Sequence, residues 1–425
     1  MRKILTLLFV VVLSACASST TTTVPVDMNA ASERYVKLVL ALGEHDTDYV
    51  DAYYGPPEWR TEVKAQKATV KQIHDDAMDL DRELRAMAKP PAKVMDEMLA
   101  LRREYLARQT EALIARAEML SGRVMTFDEE SQALYDAVAP HHDEAYFEQL
   151  TSALDHELPG EGAIADRLDA FKRDFIIPKE KLDDVFKRAI EGCRSRTLQQ
   201  MTLPQGETFT IEYVTNKSWS GYNWYKGNFN SLIQVNTDLP IYIDRAIDLA
   251  CHEGYPGHHV YNALLEKNLV RDRGWKEFTV YPLFSPQSLI AEGSANYGID
   301  IAFPANERVE FEKANLFPIA GLDASKAAKY YRIQELTGKL SYAGNEAARG
   351  YLDGKLTADQ AVNWLTKYAL MSEPRARQRL KFIEQYRSYV INYNLGKDLV
   401  AQWVHGDWTR FKQLLSSPRL PSSLR

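Results

Sequence analysis

Apolar positions through the first half of the chain recur at helical spacing. From Ala31 to about Gln200 the pattern is helical almost throughout, and Tyr35, Leu38 and Leu42 fall on one stripe. Residues 58–87 and 92–120 have the charged, helix-forming composition of exposed bundle helices. Gly55-Pro56-Pro57 breaks the chain before the first segment, and Pro90-Pro91 separates the two. Thr126-Phe127-Asp128-Glu129 fits a capping box, in which the threonine hydroxyl takes one free backbone donor and the glutamate reaches back to another. The pattern predicts a further helix from that point.

Between Glu207 and Asn236 the period changes. Residues 208–213 alternate polar with apolar and are rich in β-branched and aromatic side chains, as in a half-buried strand. Strand-like runs follow at 218–225 and 230–235, with Gly221 and Lys226-Gly227-Asn228 as bulge or turn signals. A small antiparallel sheet is expected, and its edge could hold an extended peptide. Trp219, Tyr222, Trp224 and Tyr225 read as core. Helices resume after Pro240, where Ile243, Ala246, Ile247 and Ala250 mark a buried face. Further helices are predicted over 287–301, over 326–352 with Asp353-Gly354 as stop, after a second capping box at Thr357-Ala358-Asp359-Gln360, and over 375–389. With no internal repeat and no linker after Ala31, the expected fold is mainly α. Two helical lobes around a cleft are expected within one domain over 31–425.

The N-terminus has another character. Arg2 and Lys3 precede an apolar run over 4–13 broken only by Thr6, and Ser14-Ala15-Cys16 closes it. The run is too short to span a bilayer as a helix. Its end, Leu13-Ser14-Ala15-Cys16, resembles a bacterial lipobox, which implies cleavage before Cys16 and a lipid on that cysteine. Ala17 in place of an aspartate resembles lipoproteins sorted to the outer membrane. The expected organisation is therefore a signal over 1–16, a flexible tether over 17–30, and a domain facing the periplasm.

Composition adds little beyond this. The chain has 425 residues, 45% apolar and 26% charged, so a large core is affordable. A net charge of −6, with no basic block interleaved with aromatics, argues against nucleic acid as a partner. The remaining cysteines, Cys193 and Cys251, could pair in an oxidising periplasm, but they are too few for a disulfide framework, and a buried free thiol is the expected state of each.

Three of the nine histidines fall within His252-Glu253-Gly254-Tyr255-Pro256-Gly257-His258-His259. Catalytic zinc takes three protein ligands and leaves one position for water, whose proton a nearby glutamate can accept. The usual pattern is His-Glu-x-x-His, because residues four apart stack on one helix face. Here Pro256 stands where the second histidine would be. On an unbroken helix His258 would lie about 240° round from His252. Pro256 removes a backbone hydrogen bond and Gly257 permits unusual angles, so a break or bulge is expected that could return His258 to the metal.

His-Glu-x-x-Pro-Gly-His-His resembles the signature of the bacterial family catalogued as domain of unknown function 885. That family is similar to helical zinc peptidases that use two histidines and a more distant glutamate. Its later Glu-Gly-x-Ala-x-Tyr element is matched by Glu292-Gly293-Ser294-Ala295-Asn296-Tyr297. The resemblance implies zinc as cofactor, His252, His258 and Glu292 as ligands, and Glu253 as general base. His259 is left as an alternative ligand or a donor that orients substrate. Tyrosines or a basic residue near the last helix serve similar enzymes in aligning substrate and stabilising the oxyanion, which marks Arg387, Tyr389 and Tyr393. With 23 tyrosines in the chain, packing is the default for any one of them.

The function so implied is hydrolysis of peptide bonds, on short peptides, by glutamate-assisted attack of zinc-activated water. A lipoprotein that keeps zinc for structure or binds a ligand without turnover is an alternative, although Glu253 beside His252 would then have no purpose. A metal-dependent amidase or esterase with the same site is another.

Overall fold

A computed structural model describes residues 27–87, 97–217 and 219–424. The expected signal over 1–16, the tether over 17–26 and the Pro90-Pro91 break lie outside these residues. The first described helix, Met28–Gly43, is capped by the Asp27 carboxylate accepting from the Asn29 amide at 2.8 Å. Residues 28–30, expected to belong to the tether, are therefore helical.

Among the described residues the fold is mainly helical with two small sheets. Both expected capping boxes form, Thr126 with Glu129 and Thr357 with Gln360. The segment over 58–87 divides into Pro57–Gln66 and Val70–Ala86, because Lys67 is left-handed and Thr69 opens a new capping box with Gln72. The long helix predicted over 326–352 is likewise interrupted. It runs as Ala327–Gly338 and Ala343–Leu352, since Gly338 ends the first piece. The predicted helix over 375–389 is Glu373–Tyr386, followed by a 3₁₀ turn over Arg387–Val390. Its ending has a visible cause. Arg387 has a φ of 52°, and both its guanidinium and the Ser388 amide are held by Glu130.

Strand β1 (Val50–Tyr53) pairs antiparallel with β5 (Val280–Pro282). The other sheet contains the three predicted strands, β2 (Thr208–Val214), β3 (Gly221–Gly227) and β4 (Asn230–Asn236). Gly227, Asn228 and Phe229 all have positive φ and fold β3 and β4 into an antiparallel hairpin. Strand β4 takes the middle of the sheet, so β2 can join only its free edge, and there it runs parallel. The sheet is thus mixed, where the alternation alone suggested an antiparallel one.

Two contacts fix the parts that carry the chemistry. The helix Pro286–Ala302, buried over nearly all its surface, crosses Ile391–Val404 at Gly293 and Gly396. A Cβ on Gly293 would stand 2.4 Å from the Gly396 carbonyl carbon, so the two backbones touch directly. The second contact corrects an expectation. Cys193 and Cys251 form a disulfide, with Cα atoms 5.5 Å apart, and are not free thiols. The helix Leu182–Gln200 packs alongside the segment that holds Cys251, which brings together cysteines separated by 58 positions.

Candidate metal centre

The segment around His252 begins as a helix over Asp244–Leu249 and widens into a π-turn over Ala250–Gly254. Tyr255-Pro256 is a cis peptide, and a new helix starts at His258–Leu265. The Gly257 amide donates to the Cys251 carbonyl at 2.9 Å, which folds the chain back on itself. A Cβ at Gly257 would lie 1.9 Å from the His252 carbonyl oxygen, so only glycine fits the turn. The effect is to bring His258 back to His252, with their Nε2 atoms 3.1 Å apart. Glu292 reaches the same point from Pro286–Ala302. Its Oε2 lies 3.3 Å from His252 Nε2, and its Oε1 lies 3.7 Å from His258 Nε2.

These atoms suit a metal ion. Two ligands about 2.05 Å from a tetrahedral ion stand roughly 3.3 Å apart, and the three separations of 3.1, 3.3 and 3.7 Å bracket that value. Glu292 Oε2 is buried and has no hydrogen-bond partner, a costly arrangement unless a cation completes it. The imidazole of His252 is oriented as a ligand should be. The Asn296 amide donates to the Tyr393 carbonyl at 2.9 Å, so its Oδ1 faces His252 Nδ1 at 3.1 Å and leaves Nε2 as the free lone pair. His252, His258 and Glu292 can therefore hold a metal ion.

The charges respond to this crowding. Burial would raise the Glu292 carboxyl, but the charge of His258 and the closeness of both imidazoles hold it well below the carboxylate range. Burial would lower His258, but Glu292, Glu253 and Asp51 raise it to about 9. Glu253 is pushed up by burial and by Glu292, against the pull of His252 and His258. Its carboxylate lies against Gly221 of β3, where a Cβ would come within 2.9 Å of Oε1. No hydrogen bond reaches that carboxylate among the described residues.

A cleft of about 660 Å³ opens over this group, lined by His252, Glu253, His258, Glu292, Tyr389 and Tyr393 among others. The Tyr389 hydroxyl donates to Glu292 Oε1 at 2.7 Å, and Tyr393 packs edge-on against Tyr389 with centroids 5.8 Å apart. Two expected site residues are elsewhere. His259 is fully buried, with Nδ1 2.9 Å from Ser231 Oγ and Nε2 3.0 Å from Glu207 Oε2, and it does not line the cleft. One residue further along a helix is a rotation of about 100°, which turns His259 into the core. Arg387 is engaged by Glu130 at 2.6 Å, also away from the cleft.

Among the cleft residues that carried no sequence assignment are Asn296, Asp51 and Arg379. Asn296 stands four residues after Glu292 on one helix face, a spacing that could have suggested it. Asp51, from β1, accepts from the Tyr222 hydroxyl, and its carboxyl is raised to about 7 by burial, against His258 and with Glu292 and Glu253. Nothing around Asp51 in the sequence marks it. Arg379 lies in an arginine-rich helix, and nothing in the sequence singles it out from its neighbours.

No family model matches the chain, and no curated protein matches it. Solved structures do. A candidate lipoprotein from Colwellia psychrerythraea is 15% identical, with a TM-score of 0.50, over 86% of this chain and 71% of that one. A candidate lipoprotein of unknown function from Shewanella oneidensis is 11% identical, with a TM-score of 0.46, over 93% and 81% respectively. A carboxypeptidase from Deinococcus radiodurans is 14% identical, with a TM-score of 0.34, over 91% and 87%. The first of these likenesses is one of fold.

Proposed function

We propose that this chain is a zinc-dependent peptidase of short peptides and a member of the domain of unknown function 885 family. The observation that carries the reading is the ligand-like spacing of His252, His258 and Glu292 with the unbonded carboxylate of Glu253 beside them. Two imidazoles and one carboxylate are a donor set suited to zinc. When bound, zinc would polarise the scissile carbonyl and make water acidic enough to deprotonate near neutral pH. The rest of the work falls to the protein. Glu253 accepts the proton of the attacking water and returns it to the leaving amine, and its raised pKa suits it to both tasks. Tyr393 offers a hydroxyl donor at the cleft for the carbonyl oxygen as it gains charge, and Tyr389, whose hydroxyl donates to Glu292, holds that carboxylate in place. An extended peptide would lie along β3, an edge strand whose Gly221 and Tyr222 line the cleft.

The location is part of the same proposal. A lipid on Cys16 would anchor the protein to the outer membrane with its domain in the periplasm. The Cys193–Cys251 disulfide fits an oxidising compartment. Among the described residues no helix is long and apolar enough to cross a membrane.

The test is digestion of a mixed peptide library by the zinc-loaded mature protein, read by mass spectrometry beside Glu253→Gln. Cleavage is expected from the wild type, with a loss of about 100-fold or more in the variant, the usual worth of a general base. Zinc binding without cleavage by either protein would sink the peptidase reading.

A further inference from the structure

The cleft has charge of both signs. Asp51, Glu253 and Glu292 cluster where the metal ligands meet. Another part of the lining comes from Glu373–Tyr386, which contributes Arg375, Arg379, Phe382 and Tyr386. Their spacing places them on one face of the helix. Arg379 is the unusual member. Its guanidinium lies 4.8 Å from the Phe382 ring centroid and 6.0 Å from that of Tyr393, and no carboxylate pairs with it among the described residues. Its Nε is sealed from solvent without a hydrogen-bond partner. Arg375 and Lys172, also at the cleft, both stand over the Tyr242 ring, at 5.7 and 4.7 Å, and neither has an ion-pair partner among the described residues.

Arg379 is half-buried at the cleft wall, and a sealed guanidinium nitrogen without an acceptor is costly, whereas the buried arginines among the described residues are paired, Arg102 with Glu277 at 2.6 Å and Arg349 with Asp128 at 3.0 Å. Arg379 is also tied to the metal group by contact. Tyr393 touches both Arg379 and Tyr389, and the Tyr389 hydroxyl touches Glu292. The planar fork of arginine matches a carboxylate in geometry.

We propose that Arg379, with Arg375 and Lys172 behind it, binds the free α-carboxylate of a peptide substrate, so that the protein cleaves peptides near their C-terminal end. The proposal rests on the peptidase reading and narrows it to an exopeptidase. Arg379 is the specificity residue of this scheme. It orders the end of the substrate while the scissile bond lies at the metal group.

The experiment uses pairs of short peptides of one sequence, ending in a carboxylate or in an amide, with the zinc-loaded protein, Arg379→Gln, Arg379→Lys and Arg375→Gln. Each variant is first checked for an unchanged thermal midpoint and zinc content. The free acid should be cleaved with a KM about 10- to 100-fold below that of the amide, the worth of one hydrogen bond to a charged group. Arg379→Gln should erase that difference by raising KM for the free acid alone, and Arg379→Lys should restore part of it. If Arg379→Gln fails to fold, a smaller rise of the same kind in Arg375→Gln supports the proposal and its absence overturns it. Equal cleavage of acid and amide overturns it, as does preference for an internal acidic side chain whatever the terminus. If no peptide is cleaved, the peptidase reading falls, and calorimetric binding of the same pairs decides the anion site. Carboxylate-dependent binding that Arg379→Gln removes would keep the site, and equal binding of both peptides would remove it.

Discussion

The helix His258–Leu265 is flanked by two π-turns, Ala250–Gly254 before it and Glu266–Arg271 after it, and the two treat a buried carboxylate in opposite ways. Glu266, in the second turn, is saturated. It accepts from the Tyr225 hydroxyl at 2.5 Å, from the Asn228 and Phe229 amides at 3.2 and 3.4 Å, and from Arg271. It thereby fastens the β3–β4 turn to the helix. At the first turn, Glu253 has no hydrogen bond to its carboxylate among the described residues, and Glu292, which meets the turn from another helix, keeps one buried oxygen without a hydrogen bond. The same backbone irregularity serves structure where donors are supplied and is available for chemistry where they are withheld.

Four substitutions would sharpen or break this contrast. His258→Ala should weaken zinc binding by more than about 100-fold, beyond the 10- to 100-fold cost of losing a group that only orients a ligand. Its neighbour His259→Ala should leave zinc affinity alone and lower stability by about 2 kcal/mol, because Glu207 and Ser231 lose a buried partner. Competition with a zinc indicator and urea unfolding would read the pair, and similar zinc loss in both variants would break the distinction. Glu266→Ala should cost about 2–3 kcal/mol in urea unfolding, from the stranded donors, with zinc affinity retained. Zinc loss there would mean that the second turn also serves the metal. Asn296→Ala should weaken zinc by about 10-fold, at the low end for a group that orients a ligand, since the His252 ring remains packed. Unchanged affinity would show that Asn296 does not set the tautomer of His252.

What could be read in advance follows from the range of the interactions. The break at Pro256-Gly257 was legible because proline and glycine act on the backbone within a few residues. The capping boxes were legible for the same reason. Glu292, 40 positions from His252, came only through its motif. The partners that spoiled other expectations are distant in sequence. Arg387 meets Glu130 across 257 positions, and Cys193 meets Cys251 across 58. His259 could not be told from His258 by residue type, since the difference is a rotation settled by what packs on each side. The parallel pairing of β2 depended on which strand took the centre of the sheet, and alternation carries no information about order.

The crossing at Gly293 and Gly396 bears on how the pocket could be redesigned. Neither position tolerates even a methyl group without separating the helices, and Glu292 sits one residue away. A library that varies these two glycines would mostly return proteins whose metal ligand is displaced. Variation on the cleft-facing side of Glu373–Tyr386 leaves that crossing untouched, and selectivity could be altered there while the hydrolytic end stays in register.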